Sequence, residues 1–199
     1  MRENRKGQKK WAMVTIRTEL PFDVDARDDL LDRVWGAARF QKTAERLREG
    51  REPSAGLSFV AEHDGDIVGT VRLWDICAGP DRPALLLGPL AVDERMRSRG
   101  IGGALMRRAM AAARRRKHGA VMLVGDAAYH RRFGFSAEQT EALWLPGPYE
   151  RDRLLACPFQ PEALDGARGL VGATGRPAPS ADALIAELGR DAASARHAA

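Results

Sequence analysis

The residues with the clearest chemical potential in this 199-residue chain stand together at Arg97-Ser98-Arg99-Gly100-Ile101-Gly102-Gly103, directly ahead of a run rich in Ala, Leu, Met and Arg. Glycines let a backbone wrap closely round a ligand. The first turn of a helix offers N–H groups without intrahelical acceptors, at the positive end of its dipole. With arginines alongside, such a junction is an anion cradle. Two common cradles are excluded. A P-loop ends in Gly-Lys-Ser/Thr, which is missing here, and a dinucleotide fingerprint needs a third glycine where this chain has Leu105. What remains is a cradle for a pyrophosphate, with a solvated basic helix behind an ordinary glycine turn as the alternative.

Just upstream, Leu85-Leu86-Leu87-Gly88-Pro89-Leu90-Ala91-Val92 reads as a strand broken in its middle. Proline cannot donate to a sheet ladder and sits at edges or bulges. A bulge there would splay the strand from its neighbour and free backbone N–H and C=O groups for an extended ligand. A plain edge strand is the competing reading.

Charge supports a compact anionic ligand over a long polyanion. The net charge is +5, yet residues 1–10 carry a local +4 and residues 93–118 a local +7, leaving −6 for the rest. The chain is mildly acidic, with one cationic arm and one cationic element. Aromatics at 6% provide few stacking platforms for single-stranded nucleic acid, so that partner is disfavoured. Two distant cysteines, Cys77 and Cys157, exclude a disulfide scaffold and a Cys-rich metal site. No apolar run reaches membrane-spanning length, and Trp11 to Ile16 is too short for a signal-peptide core. These features point to a reduced, cytoplasmic compartment.

The elements that must position the cradle follow from periodicity. Strands are predicted at 12–17, 57–62, 67–73, 84–92 and 120–124, with later ones at 141–145 and 153–156. Asp64-Gly65 between apolar runs predicts a hairpin. Helices are predicted at 25–36, 41–48 and, most clearly, 102–118. The organisation reads as a disordered basic arm over 1–10 and one domain over 11–171. A Gly/Pro/Ala-rich tail then runs over 172–199, with a short helix at 180–188. The fold class is α/β (α+β), a mixed central sheet with helices.

The stretch 84–135 resembles the GNAT superfamily of N-acetyltransferases. Their Arg/Gln-x-x-Gly-x-Gly/Ala motif is filled by Arg97, Gly100 and Gly102, after a bulged strand and before a helix. The next strand and short helix are similar to Val121–Asp126 and Tyr129-His130-Arg131-Arg132-Phe133-Gly134-Phe135. The resemblance implies a mixed sheet with helices on both faces and acetyl-CoA as cosubstrate, with no metal. It places the pyrophosphate on Arg97, Ser98, Arg99, Gly100, Ile101, Gly102 and Gly103, and the pantetheine arm along Leu90, Ala91 and Val92. A backbone N–H near Ala91 would polarise the thioester carbonyl.

The resemblance also implies direct attack by an amine, either a small molecule or a peptide, within a ternary complex. Cys77 and Cys157 are then not nucleophiles. Many family members carry a tyrosine proton donor where this chain has His130, and the tyrosine here stands one residue earlier, at Tyr129. Both are therefore candidates for protonating the CoA thiolate. Candidates for the base are Glu62, His63 and Asp75. The acceptor wall is expected from the first helices, the 145–152 loop and Trp74. The missing tyrosine keeps open a second reading, an acyl-CoA-binding sensor or interaction module without turnover. A homodimer is compatible with either.

Overall fold

The computed structural model describes residues 13–179. The predicted arm at 1–10 and the predicted helix at 180–188 lie outside them. Strands β1 (Thr15–Thr18), β2 (Ser58–His63), β3 (Asp66–Ala78) and β4 (Pro83–Val92) form an antiparallel run in chain order. Strand β5 (Ala120–Val124) joins β4 in parallel, and β7 (Leu154–Pro158) pairs with β5 antiparallel. Helix α1 (Val24–Trp35) follows β1, α2 (Ile101–Arg115) crosses from β4 to β5, and a short α3 (Ala127–His130) follows β5.

The period of two along each strand sorts side chains onto two faces. Phe59, Ala61, Val71, Leu73, Leu85, Val121 and Leu123 meet Ile101, Leu105, Met106, Ala109 and Ala113 of α2. Trp74, Ile76, Leu86 and Met122 point the other way, towards Leu47, Leu143, Leu154 and Val171. On that same side Val60 and Ile67 meet Leu30 and Val34 of α1. Helices therefore cover both faces of a mixed sheet, as expected. Helix α2 lies especially close at Gly69, where a Cβ would come within 3.0 Å of Leu105 and 3.2 Å of Ile101. That contact fixes the height of the α2 N-terminus over the sheet.

Three expectations change. The helix predicted at 41–48 is instead two 3-10 segments, Ala37–Gln41 and Thr43–Leu47, separated by an extended Lys42. Its apolar pattern is too short to carry an α-helix, and tertiary contacts to the 146–148 loop set its shape instead. The strand predicted at 141–145 shrinks to β6 (Leu143–Trp144), because residues 140–143 close a turn in which the Leu143 N–H donates to the Thr140 carbonyl. An additional strand, β8 (Gly169–Ala173), pairs with β3 and β6. It spans the boundary expected after residue 171, and its glycines disguised it as tail.

Candidate functional site

The strand after Leu86 departs from its neighbour. Strands β4 and β5 pair only at Leu85–Val121 and Leu86–Met122. Beyond that point the register against β3 shifts, so that Gly88 and Pro89, joined by a cis peptide, bulge opposite Arg72. Trp74 holds the bulge from below, its indole N–H donating to the Gly88 carbonyl at 2.6 Å. Trp74 is thus a buried support and not part of an acceptor wall. The Asp93 N–H bonds the Val68 carbonyl on the β3 side. Strand alternation then turns Ala91 towards β3 and leaves the backbone groups of Leu90 and Val92 facing the gap beside β5. The available N–H groups flank Ala91.

The chain next turns through a 3-10 segment, Glu94–Met96, capped by the Asp93 carboxylate on the Arg95 N–H. Arg95 holds the Asp93 carboxyl down to about 2. Ser98 and Gly100 both take left-handed backbone, φ 62° and 77°. Gly100 caps α2, with open space where its Cβ would be, and among the described residues no side chain bonds the first-turn N–H groups. A Cβ on Gly102 would lie 3.3 Å from the Tyr129 hydroxyl and 3.6 Å from Val92. Cradle, gap and α3 therefore meet at one place. Arg97 is exposed and pairs with Glu94 at 3.0 Å. The predicted binding residues are brought together, and the open first turn suits a diphosphate.

Across the gap, the Asp126 carboxylate caps α3 through the Tyr129 N–H at 2.6 Å. The His130 Nδ1 donates to the Asp126 carbonyl at 2.7 Å, so in the neutral ring the other nitrogen, Nε2, carries the lone pair. Burial holds the His130 pKa below the ordinary histidine value. The imidazole lies against Gly125, where a Cβ would come within 2.6 Å of it. Tyr129 stacks edge-on to His130, and Arg132 covers its ring at 4.0 Å. Both residues line a cavity of about 540 Å³ that also takes in Leu87 to Leu90 and Leu123 to Asp126.

The far wall of that cavity comes from remote parts of the chain: Trp35, the 39–48 segment and Pro148 to Glu150. Thr43 donates its hydroxyl to the Pro148 carbonyl, and Arg46 reaches the Pro146 carbonyl at 2.6 Å, tying the two loops together. The first helices and the 145–152 loop thus do form this wall. Arg48 and Lys42 are the residues that sequence reasoning missed, since no motif surrounds them.

Glu62, His63 and Asp75 do not line the cavity. Glu62 is bound to Arg17 at 2.8 Å, and the Asp75 carbonyl accepts from Thr174 and Gly175. Cys157 is buried, with its thiol pKa pushed up, and Cys77 donates to the Gly79 carbonyl. Among the described residues no cluster of His, Cys, Asp or Glu could hold a metal, and no helix is long and apolar enough to cross a membrane.

Comparison with known proteins agrees with the fold. The chain is similar to the Escherichia coli (strain K12) "Uncharacterized N-acetyltransferase YhbS", 29% identical over 157 residues that span 78% of this chain and 93% of the relative. The solved E. coli YhbS structure, in complex with CoA, superposes with a TM-score of 0.70 at 28% identity, covering 83% of this chain and 92% of that one. A Brucella melitensis GNAT family acetyltransferase in complex with acetyl-CoA shares the fold, with a TM-score of 0.59 at 24% identity over 85% of this chain and 97% of that one. Residues 24–135, more than half the chain, match the family model described as acetyltransferase (GNAT), and the chain belongs to that family.

Proposed function

We propose that the protein transfers the acetyl group of acetyl-CoA to a primary amine by direct attack in a ternary complex. The observation that carries this reading is the continuity between the open N-terminus of α2 and the gap between β4 and β5. Acetyl-CoA bound there supplies an activated thioester. The N–H groups of Ile101, Gly102 and Gly103 meet its phosphates, helped by the helix dipole. Leu90 and Val92 offer backbone groups to an extended arm, and one of these N–H groups stabilises the negative charge that builds on the acyl oxygen.

His130 is the proton carrier in this scheme. Its neutral Nε2 accepts the proton that the amine sheds as the C–N bond forms, then returns it to the sulfur as the C–S bond breaks. A lowered pKa suits a group that must begin neutral. Tyr129, whose hydroxyl lies over Gly102, takes the lesser role of contacting the cosubstrate arm.

Melting curves with and without millimolar acetyl-CoA, paired with thiol release across an amine panel, test the reading. A higher melting temperature together with amine-dependent thiol release is expected, since ligand bound only to the native state stabilises it. No shift would remove the cradle. A shift without release from any amine would favour a non-catalytic acyl-CoA sensor.

A further inference from the structure

The acceptor side of the cavity holds a cation without enough partners. Arg48 is 7% exposed, so its guanidinium has little water to satisfy it. One nitrogen, Nη2, meets Glu45 at 2.8 Å, but the buried Nε–H has no acceptor among the described residues. Its Nη1 lies 3.5 Å from where a Gly88 Cβ would be, beside the bulge. Buried donors are nearly always bonded, and a buried guanidinium with an unused N–H is costly.

Around it stand further cations. Lys42 has its ammonium 3.5 Å over the Trp35 ring and no carboxylate partner among the described residues. Loss of hydration and the charges of Arg48 and Arg153 both hold the Lys42 pKa down. Arg39 is bound to Asp32 and Arg153 to Glu150, so those two are already neutralised. The remaining carboxylate on this wall, Glu45, is occupied by Arg48.

We infer that the acceptor amine also bears a carboxylate, which Arg48 receives next to the β4 bulge with Lys42 as the rim cation. An amino acid, or another zwitterion with a free carboxylate, is the substrate class. A planar guanidinium suits a carboxylate, and the bond that forms is charge-assisted. Polyamines and other purely cationic amines are disfavoured by the same charges. The inference rests on the acetyltransfer reading above and names the acceptor of that site.

The test compares each of a series of α- and ω-amino acids with its own carboxamide, by thiol release and by melting temperature in the presence of CoA. At least tenfold higher kcat/KM for the best acid over its amide is expected. Arg48→Met should erase that preference with acetyl-CoA affinity unchanged. Arg48→Lys should retain part of it, and Lys42→Met, on the exposed rim, should reduce it two- to fivefold. Both milder variants serve if Arg48→Met does not fold. Amides used as well as acids, or a preference untouched by every variant, would overturn the inference. Stabilisation by acids and not amides, without thiol release, would uphold the carboxylate site at Arg48 and overturn acetyltransfer. No acid-specific stabilisation and no turnover of any acid would overturn it as well.

Discussion

The two halves of the cavity are built in opposite ways. The cradle half is made from backbone: the gap-facing groups of Leu90 and Val92, the left-handed turn at Ser98 and Gly100, and the open first turn of α2. All of it lies within 14 consecutive residues. The opposite half is made from side chains that arrive from Trp35, Lys42, Arg48 and the 148–150 loop. Backbone recognition suits a ligand whose phosphates and extended arm never change. Side-chain recognition can be altered by single substitutions while the fold stays intact. On the proposed reading, the cradle carries the cosubstrate and the opposite wall selects the amine.

The largest predicted effect falls on the cradle. Gly100→Asp puts a side chain on φ 77° and a carboxylate at the proposed phosphate site. Acetyl-CoA affinity, measured by titration calorimetry, should fall about 100-fold or more, the loss of one or two charge-assisted hydrogen bonds. Unchanged affinity would place the cradle elsewhere.

Next comes the residue between the two halves. His130→Ala should lower kcat by about 100-fold with acetyl-CoA affinity nearly constant, and Tyr129→Phe should do less. The reverse ranking would give the proton to Tyr129. The pH profile sharpens this. Burial lowers the His130 pKa below the ordinary histidine value, so the acid limb of kcat should lie lower in pH than an ordinary histidine would place it. Its contribution to stability has the same sign. It is complete above the unfolded value and is lost as pH falls through the folded one. The acid limb should vanish in His130→Ala.

A gentler variant separates position from presence. Gly125 is not in the left-handed region, so an alanine there is felt through its contacts: the imidazole at 2.6 Å and, less closely, a Leu123 methyl at 3.0 Å. Gly125→Ala should cut kcat about tenfold through displacement of His130, since misplacement of a reacting group by about 1 Å is costly. Equal activity would mean that the imidazole position is immaterial.

The smallest effect belongs to the floor beneath the cavity. Trp74→Phe keeps the aromatic packing but leaves the Gly88 carbonyl without its donor. A loss of about 1–2 kcal/mol is expected in denaturant melts, the cost of an unsatisfied buried acceptor. Measurably normal stability would mean that the bulge supports itself.

The contrast between the halves also explains what could be read in the sequence. Gly88-Pro89 and Arg97 to Gly103 announce their geometry locally, because proline, glycine and a helix start constrain the backbone wherever they occur. The hairpin at Asp64-Gly65, α1 and α2 were legible for the same reason. Lys42 and Arg48 carry no local signal. They matter only because a 3-10 segment, tied to Pro146 and Pro148 about a hundred residues away, folds over the bulge. Strand β8 was hidden too, since Gly169 and Gly172 mask a segment that gains its strand character from pairing with β3. No motif marks the role of Trp74, because its partner, the Gly88 carbonyl, is invisible without the fold.

The most direct measurement is calorimetric titration of acetyl-CoA into the full chain, with Gly100→Asp as the paired control. One saturable site per chain is expected in the native protein and its loss in the variant, with melting temperature otherwise retained. Absence of binding in the native protein, or equal binding in a folded Gly100→Asp, would contradict it.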